Sequence, residues 1–175
     1  MKIRIVVAAA LLCLSGGFFT ASSAENGNGN GDEGQSDLAR ISPYASIAGA
    51  YNWRNTAAGD ESGGVNGRIG MRVWERLAVE FEGDWQGKRP QSYTLGGNLK
   101  GYWMKGRIQP FMLVGGSYWD LDKGHTGPGV RAGGGVDGYV NDHIYLTTGV
   151  EYVWGVGDMD RFNYATLYLG VGFRL

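Results

Sequence analysis

The residues with the most chemistry to offer in this 175-residue sequence fall in a few short stretches. Ser117, His125 and either Asp120 or Asp122 supply the types that a nucleophile, a general base and an orienting acid require. Glu80 and Glu82 are two residues apart, a spacing that puts both carboxylates on one face of a strand and suits acid/base work if their environments differ. Asp120, Asp122, Asp158 and Asp160 carry hard oxygen ligands suited to a divalent cation, and Lys88 and Arg89 carry donors for a phosphate. Simpler explanations outweigh each of these. Aspartate is a common turn residue, and carboxylates with arginines across a wall stay ionised as their partners. The single cysteine, Cys13, lies in a segment expected to be removed, which leaves no disulfide, thiolate metal site or cysteine nucleophile. The Asn-Gly repeat from Asn26 to Gly31 is followed by neither Gly-Lys-Ser nor Gly-Lys-Thr, so it is no phosphate loop. The sequence therefore predicts no catalytic residue, no cofactor and no metal.

The elements that position these residues are written in composition and periodicity. There are 32 glycines, more than twice the usual share, together with 13% aromatic residues and only four prolines, a mixture typical of packed β-structure. Lys2 and Arg4, the apolar run Ile5 to Leu14 and the small residues Ser22-Ser23-Ala24 read as a secretory signal over 1–24, too short in its apolar run to span a membrane. Residues 25–40 are asparagine, glycine, serine and acid, with too little to bury to offset the entropy of ordering, and read as a disordered tail. The expected mature chain has 14 basic and 17 acidic residues, so no basic patch points to nucleic acid. From 41 to 175 the chain repeats about ten residues of apolar/polar alternation followed by a turn signal, the signature of strands. Strands are predicted at 41–53, 64–74, 77–85, 93–104, 107–119, 128–140, 143–154 and 162–175. Tight turns at Glu75-Arg76, Lys105-Gly106 and Asn141-Asp142 alternate with the longer loops 54–63, 86–92, 120–127 and 155–161. That rhythm describes an all-β, eight-stranded antiparallel up-and-down barrel.

The charges keep to one phase of this alternation. Arg68, Arg72, Glu80, Glu82, Asp84, Lys100, Arg131, Asp137, Glu151 and Arg174 all fall opposite the large apolar residues of their strands. Alternation alone does not say which phase is outside, because a soluble barrel turns its apolar phase inward and a membrane barrel turns it to lipid. The apolar phase carries Tyr51, Trp53, Trp85, Tyr93, Tyr152 and Trp154 toward the long loops, and Trp103 and Phe173 toward the short turns. Aromatics at both strand ends match the two interfacial girdles of a bilayer. The charged phase is padded with small residues such as Ala48, Ala50, Gly96, Gly133, Gly135, Gly149, Gly170 and Gly172, as a narrow lumen filled by a few long polar side chains requires. The export signal agrees, so the apolar phase is assigned to lipid and the ten charges to a lumenal ion-pair network. In the fifth strand neither phase is clearly polar. Ile108 is placed toward lipid and Arg107 and Gln109 inside, with a bulge allowed to switch the phase midway.

The stretch Thr126 to Leu175 resembles the small outer-membrane β-barrel family of OmpA-like and OmpX-like barrels. The resemblance rests on its Gly-Pro-Gly-Val-Arg-Ala-Gly-Gly-Gly-Val opening, Gly149-Val150-Glu151-Tyr152, and the ending Leu169-Gly170-Val171-Gly172-Phe173-Arg174-Leu175. Gln109-Pro110-Phe111 followed by Gly115-Gly116 is similar to the family's fifth strand. The resemblance implies a Gram-negative outer membrane, both barrel termini on the periplasmic side and loops facing outward. It also implies outer-membrane lipid and lipopolysaccharide as surroundings, and a last strand read by the assembly machinery, here with its aromatic at Phe173 rather than at the terminal residue. It is specific for architecture and poor for activity. In the lipid A deacylases among such barrels a histidine is followed two residues later by a serine, whereas His125-Thr126-Gly127 has glycine there. The expected role is envelope integrity or surface contact through the loops, with no catalysis. The alternatives are a small pore for ions or small solutes and a lipid A-modifying enzyme. Eight strands leave a lumen only wide enough for side chains, which favours a packed interior over an ion path.

Overall fold

The computed structural model describes residues 42–54, 61–87, 91–121, 125–157 and 163–175, and of Arg54, Leu121 and His125 the backbone only. The expected signal over 1–24, the tail over 25–40 and the loop residues Lys88, Arg89, Asp122, Asp158 and Asp160 lie outside the described residues. Eight strands follow one another: β1 (Pro43–Arg54), β2 (Glu61–Trp74), β3 (Leu77–Gln86), β4 (Ser92–Tyr102), β5 (Ile108–Leu121), β6 (His125–Tyr139), β7 (Ile144–Gly155) and β8 (Tyr164–Arg174). Each pairs antiparallel with its sequence neighbours, and β1 closes on β8 from Tyr44↔Arg174 to Arg54↔Tyr164, giving a closed barrel without an edge. Closure is what a bilayer demands of strands, because an unpaired N–H or C=O in hydrocarbon costs several kcal/mol, on the order of a lost hydrogen bond with no water to replace it.

The alternation sorts side chains to two faces. Ile47, Ile69, Phe81, Leu95, Leu99, Val114, Leu146 and Leu169 point outward, Leu95 at 72% and Leu169 at 67% exposure. In water such a continuous apolar wall would be a severe liability, and in lipid it is the solvated face. The opposite phase holds Arg68, Arg72, Glu80, Glu82, Lys100, Arg131, Asp137 and Glu151, every one buried. The fold is thus a transmembrane β-barrel with its polar phase inside.

Several boundaries differ from the sequence expectation. β2 begins at Glu61, β4 at Ser92 and β6 at His125, so the strands run further toward the long loops than the apolar alternation does. Main-chain pairing continues through polar stretches such as Glu61-Ser62-Gly63, where side-chain periodicity carries no signal. At the other end β4 stops at Tyr102: the Trp103 amide makes a last bond to the Pro110 carbonyl at 3.1 Å and the chain then turns over 104–107, where Gly106 takes a φ of 128°. The β6–β7 turn is held by Asn141, whose Oδ1 accepts from the amides of His143 and Ile144 at 2.9 and 2.8 Å.

The fifth strand needs two corrections. Ile108 faces out and Gln109 in, as expected, but β5 keeps one phase throughout: Gln109, Phe111, Leu113, Ser117 and Trp119 are buried while Met112, Val114 and Tyr118 are exposed. Its registers with β4 and β6 run without a shift, so there is no bulge in this strand. Arg107 lies before the strand, in the turn, and is exposed rather than lumenal. The irregularity falls between β2 and β3 instead, between Arg72 and Trp74.

Glycines on the inner phase mark where large side chains lie over the adjacent strand. A Cβ on Gly172 would fall inside the Tyr145 ring, one on Gly149 against the Tyr168 hydroxyl, and one on Gly70 at 2.7 Å from Cζ of Tyr44. At Gly135 and Gly170 it would meet the neighbouring strand's carbonyl oxygen, of Thr148 and Ile47 respectively. We therefore expect Gly135→Ala and Gly170→Ala to lower barrel stability by about 1–3 kcal/mol each, as overpacking does. Gly67→Ala, whose Cβ would meet nothing within 4 Å, is expected to stay within about 0.5 kcal/mol. Urea unfolding in detergent, read by the gel shift between boiled and unboiled samples, checks this order.

Candidate functional site

The lumenal side chains form successive layers along the barrel axis. Nearest the long loops the layer is neutral and polar. The Ser62 hydroxyl donates to Gln86 Oε1 at 3.4 Å, Thr166 donates to Asn52 Oδ1, and Trp119 Nε1 donates to Ser117 Oγ at 2.9 Å beside the Tyr164 ring.

Below it lies the densest charge layer. Arg131 on β6 reaches across to β3, with Nη1 2.6 Å from Glu82 Oε2 and Nη2 3.5 Å from Asp84 Oδ2, and its Nη1 stands 3.5 Å from Glu151 Oε2 on β7. Arg68 on β2 pairs with Glu82 at 3.3 Å and with Glu151. Asn98 Nδ2 donates to Glu82 Oε2 at 2.6 Å, and the Asn66 amide donates to both Glu82 and Asp84. Two guanidiniums thus tie four strands together across the interior, and Arg68 also stacks 4.0 Å over the Tyr168 ring.

The next layer centres on Lys100 of β4. Its Nζ lies 2.8 Å from Asp137 Oδ2 on β6 and 3.3 Å from Glu80 Oε1 on β3, and 3.8 Å from the centroid of Phe111. Asp137 also accepts from the Thr147 hydroxyl at 2.7 Å and from the Tyr102 hydroxyl at 3.1 Å, while Tyr44 donates to Glu80 at 2.6 Å. At the short-turn end Arg72 donates to Gln109 Oε1 at 2.6 Å and lies over Tyr102, and Arg174 donates through Nε to Ser42 Oγ at 2.6 Å.

All ten sequence-predicted charges therefore lie on the inner phase. Arg174 is only half-buried, and Asp84 is nearer solvent than its neighbours, with 11% of its side chain accessible. Glu80 and Glu82 do not form an acid/base pair, because each is held in its own layer by its own donors. Of the nucleophile constellation, Ser117 points into the lumen beside Trp119 whereas Asp120 is exposed on the opposite face of β5, so these two do not meet; the His125 side chain and Asp122 lie outside the described residues. Among the described residues no three or more His, Cys, Asp or Glu side chains converge as metal ligands would.

Tyr51, Trp85, Tyr93, Trp103, Trp154 and Phe173 are exposed on the outer wall, with Trp53 and Tyr152 half-buried beside ring partners at 4.7 and 4.6 Å. Trp85 and Tyr93 are direct cross-strand neighbours. Sequence reasoning missed the inner aromatics Tyr44, Tyr102, Tyr145, Tyr164 and Tyr168, and left Phe111 and Trp119, in the phase of Gln109, open through the allowed bulge; all seven are buried in the lumen. The signal was present in the phase, since Tyr102 stands two residues beyond Lys100 and Tyr145 two before Thr147.

Comparison with known proteins places this architecture among outer-membrane barrels. No family model and no curated protein matches the chain. Among solved structures, Neisserial surface protein A (NspA) is similar at a TM-score of 0.63 and 16% identity, covering 76% of this chain and 97% of that one. The N-terminal β-barrel domain of Pseudomonas aeruginosa OprF gives 0.61 at 11% identity, covering 78% and 100%. The outer membrane protein OprG from Pseudomonas aeruginosa gives 0.60 at 13% identity, covering 78% and 97%. At these identities the likeness concerns the fold: an eight-stranded transmembrane barrel of the kind found in bacterial outer membranes.

Removing one partner from a buried ion pair leaves an uncompensated charge and typically costs about 3–5 kcal/mol, whereas neutralising both sides costs far less. Arg131→Met is therefore expected to destabilise the barrel by about that amount, and Arg131→Met combined with Glu82→Gln by distinctly less than the two single changes added. A double-mutant cycle by urea unfolding in detergent measures the difference.

Proposed function

We propose, from the premise of a transmembrane barrel with a charged interior, that this is a bacterial outer-membrane protein whose wall and filled lumen are structural. Residues 1–24 export the chain and are cleaved, residues 25–40 are a polar tail on the periplasmic side, and the long loops face outward. Its role is envelope integrity or surface contact through those loops, in a bilayer of phospholipid and lipopolysaccharide, without catalysis. The assembly machinery reads the last strand, whose outward residues Leu167, Leu169, Val171 and Phe173 supply the alternating apolar face.

The observation that carries this reading is the cross-lumen closure by Arg131 and Arg68 on Glu82 and Glu151. It is backed toward the short turns by Lys100 and the rings of Phe111, Tyr44 and Tyr102. A charge layer in which each guanidinium meets carboxylates from two other strands is a plug rather than a path. The lumenal carboxylates are each already engaged by donors, which supports a non-catalytic interior.

In planar bilayers the refolded chain is expected to show no steady unitary conductance. Regular single-channel openings proportional to voltage would contradict the plug and favour a small pore.

A further inference from the structure

The short-turn rim of the barrel is electrostatically one-sided. Arg76 in the β2–β3 turn and Lys105 and Arg107 in the β4–β5 turn are all exposed. The two turns are neighbours: Leu77 pairs with Gly101, and the Tyr102 amide donates to the Arg76 carbonyl at 2.8 Å. Lys105 forms an ion pair across the gap with Glu75, which leaves three cations against one carboxylate on this arc. The β6–β7 turn, elsewhere on the same rim, carries Asp142 and His143 instead.

An apolar flank lies against this basic arc. Met71 points outward and Arg72 inward, so an unbroken ladder would turn Trp74 into the lumen. The register shift between Arg72 and Trp74 sets Trp74 opposite Leu77 and leaves it 67% exposed. A β-bulge gives up regular pairing to re-aim a side chain, and here the side chain it delivers to the outer wall is an indole at the level of the turn. Trp103, Met104 and Ile108 are exposed beside it on the β4–β5 side. Indoles take up the boundary between acyl chains and headgroups, which puts the three cations at headgroup depth.

We infer that this arc, between the β2–β3 and β4–β5 turns, is a binding site for the headgroup of an anionic phospholipid of the phosphatidylglycerol class in the periplasmic leaflet. The phosphate oxygens accept from the Arg76 and Arg107 guanidiniums, and the acyl chains lie along Trp74, Trp103 and Ile108. Glu75 sets the strength of the site by holding Lys105 in an ion pair. Its carboxyl is pushed below the ordinary range by the Lys105 ammonium that donates to it, so it stays charged near neutral pH. This inference rests on the reading that the apolar wall faces lipid.

The test reconstitutes the full mature chain in phosphatidylcholine bilayers and compares spin-labelled phosphatidylglycerol with spin-labelled phosphatidylcholine for association with the barrel. A preference of roughly five-fold for each basic side chain engaged is expected at low salt. It should collapse in 1 M salt, where the screening length is about 3 Å. The triple variant Arg76→Gln, Lys105→Gln, Arg107→Gln should bring the ratio near one, and Glu75→Gln, which frees Lys105, should raise it. A wild-type ratio of one, a ratio indifferent to salt, or a triple variant that keeps its preference would overturn the site. Should the triple variant fail to fold, the salt series and Glu75→Gln decide the matter alone. Insertion itself is read from the boiled/unboiled gel shift and vesicle flotation. A barrel that inserts with a ratio of one refutes the lipid site only, whereas a chain that enters no bilayer refutes the membrane reading beneath it.

Discussion

Everything in this barrel depends on Arg131 and Arg68 meeting Glu82 and Glu151 in the middle of the lumen. Isolated, each of these ions would cost several kcal/mol to remove from water. Here they are placed by strands that are themselves held in register by closure of the sheet. The order of cause is therefore circular in a useful sense: the closed sheet brings β2, β3, β6 and β7 to one cross-section, and the ion pairs hold that cross-section at one diameter. Lipid outside forces the arrangement, because the apolar phase has no interior left to hide in and the polar phase has nowhere else to go.

Volume is the second constraint, and it explains the glycine content better than backbone freedom does. Eight strands enclose a lumen only as wide as side chains. Rings as large as Tyr145 and Tyr168 lie over Gly172 and Gly149, their partners on the adjacent strand, and the Arg131 guanidinium lies against Gly96, where a Cβ would be too close. Large inner residues such as Tyr44, Tyr145 and Tyr168 thus have a glycine as direct partner on the next strand. The same rings lie over cations, Tyr168 over Arg68 and Tyr102 over Arg72, so the aromatic filling and the charge network form a single packed interior.

Much of this was legible in the sequence, and the reason is physical. Period-two alternation reports directly on which face a residue takes, so strand number, pairing order and the inner position of the ten charges follow from it. The inner aromatics escaped because aromatic residues near strand ends have two explanations in a membrane barrel, girdle or lumen filler, and only the phase separates Tyr102 from Trp103. β5 was ambiguous because its lumenal phase is Phe111, Leu113 and Trp119, an apolar stretch that faces Lys100 and Trp119's own partner Ser117 rather than lipid. The bulge before Trp74 was invisible because a shift of one residue leaves composition and hydropathy unchanged while altering direction. Most strand ends near the long loops, β8 excepted, were placed short for a related reason: backbone pairing outlasts the side-chain pattern that reveals it.

The central claim is that the apolar phase meets lipid while the opposite phase is packed inside. The most direct measurement is a scan of single cysteines along β4 of the mature chain, which has no other cysteine, each carrying a nitroxide in the refolded, bilayer-inserted barrel, with collision rates to oxygen as the readout. The account predicts a period of two, high at Tyr93, Leu95, Gly97 and Leu99 and low at Ser92, Thr94 and Asn98. An inverted period, or equal accessibility at all seven positions, would contradict it.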